Sequence, residues 1–89
     1  MRTFSLSIVN HGTWQGQWPE GGQYEPCYLC GRPVRVDRPH HRIEVVDGGV
    51  RCAVEVSEGD LADAGYMGTY PVGPKCKAQI PTEFRIRSA

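Results

Sequence analysis

The stretch Pro26-Cys27-Tyr28-Leu29-Cys30-Gly31-Arg32-Pro33 decides the reading of this chain. Two cysteines separated by two residues can both reach one tetrahedral metal ion. A glycine directly after the second lets the backbone turn back, so that amide N–H groups point at sulfur. A thioredoxin-like redox pair would need a βαβ surround, which the flanking sequence lacks. The pair is too close for an easy bridge to itself, and two disulfides among the four cysteines would imply export, which no segment signals. The spacing therefore predicts a zinc knuckle.

Working outward, a third cysteine lies in Gly73-Pro74-Lys75-Cys76-Lys77-Ala78-Gln79-Ile80. Pro74 suits the first turn of a short helix and sets Cys76 at its N-terminus, a position that favours thiolate. Between knuckle and helix, Arg42 to Val46 and Val50 to Val56 are β-rich runs joined by the turn Asp47-Gly48-Gly49. Alternation puts His41, Ile43 and Val45 on one face of the first strand, and Val50, Cys52, Val54 and Val56 on one face of the second. Knuckle, hairpin and a short helix returning a ligand form the layout of a small α+β treble-clef or zinc-ribbon-like domain. Its fourth ligand is open between His41, at the base of the hairpin where the chain arrives from the knuckle, and Cys52, nearer the tip. His40 or a water completes the choices. His41 is preferred, because a buried free cysteine commonly serves as a small hydrophobe.

At 89 residues and 9.9 kDa the chain has room for one domain. Within it, residues 1–25 read as a strand (2–9) and a Trp/Gly-rich loop, 26–81 as the zinc-binding core, and 82–89 as a C-terminal strand. Eleven glycines and seven prolines argue against long helices. A core this small calls for a staple, and one structural Zn2+ supplies it. Ten basic against ten acidic residues give no global field toward nucleic acid or anionic lipid. With a mean hydropathy of −0.44, no run approaches the about 20 apolar residues of a membrane helix. The alternating start (Phe4, Leu6, Ile8) is unlike a signal peptide, so the expected compartment is the cytoplasm.

Trp14, Trp18 and Tyr24 stand among glycines in a segment that fits no regular element, either as a loop over the core or as an aromatic recognition surface. Arg32, Arg35, Arg38 and Arg42, with His40 and His41, make a local basic stretch after the knuckle, offset in part by Asp37 and Glu44. Ser57 and Asp60 have the spacing of a loose capping box, with one helical turn over Asp60 to Ala64. No spacing supports His11 as the partner of a catalytic cysteine.

Taken together, Cys27-x2-Cys30-Gly31-Arg32-Pro33, Val45-Val46-Asp47-Gly48-Gly49 and Gly65-Tyr66-Met67-Gly68-x-Tyr70-Pro71-Val72-Gly73-Pro74-x-Cys76 resemble a group of small zinc-ribbon-like proteins of actinobacteria and phages. The resemblance spans roughly residues 26–81. It implies metal ligands at Cys27, Cys30 and Cys76, and no activity. The expected function is a non-enzymatic zinc-binding module engaging a macromolecule. The leading form is a phage or mobile-element accessory protein that contacts host proteins through Trp14, Trp18, Arg32 and Arg35. The alternative is a nucleic-acid-binding finger. A metal-dependent nuclease comes last, because Gln79 is the only polar candidate besides lysines for a further metal ligand on the helix.

Overall fold

A computed structural model of the chain describes residues 1–6 and 16–88. Seven strands appear in the order β1 (Arg2–Ser5), β2 (Tyr24–Pro26), β3 (Pro33–Arg35), β4 (His40–Val46), β5 (Arg51–Val54), β6 (Gly68–Val72) and β7 (Ile86–Ser88). One helical turn, α1 (Glu58–Leu61), and single 3-10 turns at Asp47–Gly49, Lys77–Gln79 and Thr82–Phe84 complete the described elements. This is a small α+β arrangement made mostly of strands.

β4 is the axis of the main sheet. β5 returns from it antiparallel through the Asp47–Gly49 turn, with Val45 opposite Cys52, and β1 adds beyond β5 with Phe4 opposite Cys52. β6 lies on the other side of β4, with His41 opposite Val72 and Val45 opposite Gly68. β7 takes the start of β4, from His40 to Arg42, where β5 has ended. β2 and β3 form a separate two-stranded hairpin whose loop is the Cys27–Cys30 knuckle. It is extended by the Val36 N–H donating to the Gln23 carbonyl at 2.8 Å.

The knuckle hairpin and the C-terminal segment cover the face of the sheet that carries Ile43, Val45, Cys52 and Val72, all at most 2% exposed. Cys27, Leu29, Val34, Ile80 and Phe84 close on them from outside. Each fully buried aliphatic side chain contributes roughly 1.5–3 kcal/mol, a modest total for a core of this size.

The expected hairpin forms, and its differences from expectation have physical causes. Val50 is 56% exposed, because the Asp47–Gly49 turn carries it past the end of the sheet. Glu55, at φ 60°, ends the second strand before Val56. The capping box is present, Ser57 Oγ accepting from the Asp60 N–H, and it starts the helical turn at Glu58, earlier than Asp60. β6 is a strand in a stretch that Pro71 marks against one. The Pro71 carbonyl faces the knuckle and accepts from the Tyr28 N–H at 2.9 Å, so the missing proline N–H is on the side away from β4 and costs no ladder bond. The expected helix after Pro74 is only the 3-10 turn Lys77–Gln79, with Cys76 just before it. Both terminal strands are laid on the hairpin: β1 joins β5, and β7 joins β4 after a 3-10 turn has taken up Thr82–Phe84. The Trp/Gly-rich stretch contributes β2 at its end, and Trp14 lies outside the described residues.

Candidate metal centre

Two turns converge to make the site. The knuckle is closed by the Cys27 N–H donating to Arg32 O at 2.7 Å and the Gly31 N–H donating to Cys27 O at 2.9 Å, with Gly31 at φ 80°. The second turn begins where β6 leaves the sheet at Val72. The Gly73 N–H donates to Cys27 Sγ at 3.2 Å, and the Lys77 N–H closes back on Gly73 O at 2.9 Å. That loop carries Cys76 to the knuckle. The sulfurs of Cys27, Cys30 and Cys76 all lie within 4.8 Å of one another, close enough to hold a metal ion. Cys27 and Cys76 are buried and Cys30 is half-buried.

The electrostatics of the three thiols are unequal. Burial works to raise the Cys27 pKa, but the N–H groups of Gly73, Cys30 and Leu29 and a hydrogen bond from Cys30 outweigh it, and its thiol is held below the ordinary value. Cys76 is pushed up to about 12 by burial and by hydrogen bonding and charge from Cys30 and Cys27. Without a cation, a second thiolate beside the first is unfavourable. A bound divalent ion reverses this, because it takes thiolates and releases their protons.

The remaining candidates are distributed around this cluster. Cys52 is fully buried between Phe4 and Val45, and burial pushes its thiol up with no other cysteine acting on it. It lies opposite Val45, four residues along β4 from His41, or about 13 Å at the rise of a strand. Its setting is that of a core residue. His41 stands opposite Val72, the residue before the Gly73 whose N–H meets Cys27, on the same face of the sheet. It is not one of the three clustered groups. His40 has both ring nitrogens engaged, Nδ1 with Arg38 O at 2.7 Å and Nε2 with the Arg42 guanidinium at 3.2 Å. Arg32 and Lys75 line a pocket of about 250 Å3 that opens beside Cys30 and Cys76. Arg35 is held by Asp37 through a 2.7 Å hydrogen bond, and Trp18 is 44% exposed.

Tyr28, between the knuckle cysteines, is a residue that sequence reasoning passed over. Its ring lies against Tyr70, centroids 4.9 Å apart, and its hydroxyl donates to Gly49 O at 2.8 Å. It thus ties the metal-binding loop to the tip of the β4–β5 hairpin. Gly49 sits at φ 110°, and a Cβ there would fall 2.7 Å from the Tyr28 hydroxyl, so only glycine fits. The signal available in sequence was an aromatic inside the knuckle with a hydroxyl to satisfy.

Among the described residues no helix is long and apolar enough to cross a membrane. Comparison with protein-family models, curated proteins and solved structures finds no match.

Proposed function

We propose that this chain is a non-catalytic binding module stapled by one structural zinc ion, in the manner of a treble clef or zinc ribbon. The observation that carries the reading is the convergence of three sulfurs within 4.8 Å from two separate turns, with backbone N–H groups directed at one of them. A soft, thiolate-rich set of this kind suits Zn2+, which takes four tetrahedral ligands and has no redox chemistry of its own. His41 is our proposed fourth ligand, a reading supported by its position across from Val72. Cys52 is not among the three clustered groups, and its strand neighbours Phe4 and Val45 favour a core role for it. The His40 imidazole, held between Arg38 and Arg42, is not presented as a base, which speaks against the nuclease reading.

The test is elemental analysis of protein purified without a chelating tag. One zinc per chain in the wild type and none in Cys76→Ser is the expected result, with His41→Ala losing affinity for zinc in a competition against a chromogenic chelator. Protein that holds no metal, or Cys76→Ser protein that keeps it, overturns the reading.

A further inference from the structure

The net charge of zero conceals a division along β4. At one end Asp47, Asp60 and Asp63 gather around the hairpin tip. At the other, about 20 Å away by the rise of a seven-residue strand, a cleft of about 480 Å3 opens beside the metal centre. The two pockets flanking the centre share Pro33 and Pro74 as a common wall. Arg35, Arg38, His40, His41, Lys77 and Arg87 line the cleft, and among the described residues no carboxylate does. Asp37 holds Arg35, but among the described residues Arg38, Lys77 and Arg87 form no ion pair. Three cations converging from three segments, unpaired among the described residues, repel one another, and an anion relieves that repulsion.

The cleft is not only cationic. Val34, Val72, Pro33 and Pro74 supply apolar surface, and Tyr24 stands on its wall with the Arg35 guanidinium 6.0 Å from the ring centroid. A ligand that uses both features has flat apolar faces joined by negative linkages. Unstacked nucleotides meet that description. A duplex keeps its base faces inside its own stack, and an acidic peptide satisfies the cations while leaving the apolar surface and the aromatic ring without a partner.

We propose that this cleft binds a single-stranded nucleic-acid segment, with Arg38, Lys77 and Arg87 on its phosphates and a base against Tyr24 and the apolar wall. The proposal gives the binding module of the preceding subsection its partner, and it rests on that reading only for the zinc-held position of Pro74 and Lys77.

The experiment is fluorescence anisotropy with a labelled mixed-sequence DNA strand of about 12 nucleotides, using metal-loaded protein, from about 50 to about 200 mM salt. Binding is expected with a slope of log affinity against log salt near −2, for three phosphates at about −0.7 each. The double variant Arg38→Glu/Arg87→Glu changes two exposed cations without partners among the described residues, and it should bind at least tenfold more weakly with a shallower slope. Tyr24→Ala should bind about fivefold more weakly with the slope unchanged. Arg51→Glu, near the opposite end, should bind within twofold of wild type. No binding at the lowest salt overturns the proposal. So does tighter binding of the duplex of the same sequence, equal displacement by polyglutamate, or a double variant that binds like wild type. Zinc content measured on every sample separates the two readings: a zinc-loaded protein that fails to bind refutes the cleft alone, and a zinc-free protein that binds refutes the zinc staple alone.

Discussion

Cys76 and Cys52 are both buried cysteines whose thiols are pushed above their ordinary pKa, yet they have different neighbours. Around Cys76 are two further sulfurs, brought there by a knuckle and a turn whose backbone N–H groups point inward. Around Cys52 are Phe4, Val45 and the apolar interior. Burial alone therefore does not distinguish a ligand from a core residue. What distinguishes them is whether separate segments of the chain converge on the sulfur.

The largest expected effect tests that difference directly. Cys76→Ser removes a soft ligand from a centre whose metal contributes to folding, and such domains commonly unfold when the metal leaves. The variant is expected to lose zinc and its cooperative thermal transition together. Cys52→Ser should keep one zinc per chain and fold, with a loss of about 1–3 kcal/mol for a hydroxyl buried without a partner, read by urea denaturation. Zinc lost from Cys52→Ser would erase the distinction and make Cys52 part of the centre.

The parts of this architecture legible in the sequence are those with local chemistry. The Cys27–Cys30 spacing, the Asp47-Gly48-Gly49 turn and the Ser57–Asp60 cap each lie within a few residues, and each forms in the structure. The return of Cys76 was legible as well, but its mode of delivery was not. The loop from Gly73 to Lys77 after β6 suffices, because Gly73 is drawn to Cys27 and the Lys77 N–H closes back on Gly73 O. β6 itself was hidden by Pro71, whose compatibility with a strand depends on which side faces a neighbour, a tertiary fact. The basic cleft was half visible. Arg35 and Arg38 are consecutive with the knuckle in sequence, whereas Lys77 and Arg87 reach it only through the later turn and the pairing of β7 with β4.

The connection between the two cysteine environments runs through Tyr28, which leaves the knuckle and reaches the far tip of the hairpin. Two substitutions sharpen its role. Gly49→Ala sets a Cβ 2.7 Å from the Tyr28 hydroxyl at a backbone angle that side chains rarely adopt, and a loss of about 1–3 kcal/mol is expected. Tyr28→Phe removes the donor to the Gly49 carbonyl, whose loss should cost about 1 kcal/mol. Zinc content should be unchanged in both, since neither residue supplies a ligand. If Tyr28→Phe equals Gly49→Ala in thermal denaturation, the hydrogen bond rather than the steric fit dominates that contact.

The smallest effect belongs to the acidic connection, away from both cysteine environments. Asp60 accepts hydrogen bonds from the Ser57 backbone N–H and from Ser57 Oγ, and these hold its carboxyl below the ordinary value. A carboxylate favoured by the folded state contributes stability above its unfolded pKa and loses that contribution as pH falls through its lower, folded value. The cap should therefore be intact near neutrality and weaken at acid pH. Ser57→Ala removes the Oγ that accepts from the Asp60 N–H, and its cost should fall at the low end of the usual cap range of roughly 0.5–2 kcal/mol, because α1 is a single turn with no buried residue. The difference between variant and wild type should narrow as pH is lowered below about 4, the ordinary range of an aspartate. A difference independent of pH would place the contribution of Ser57 in its hydroxyl alone, with the Asp60 carboxylate contributing nothing to the turn.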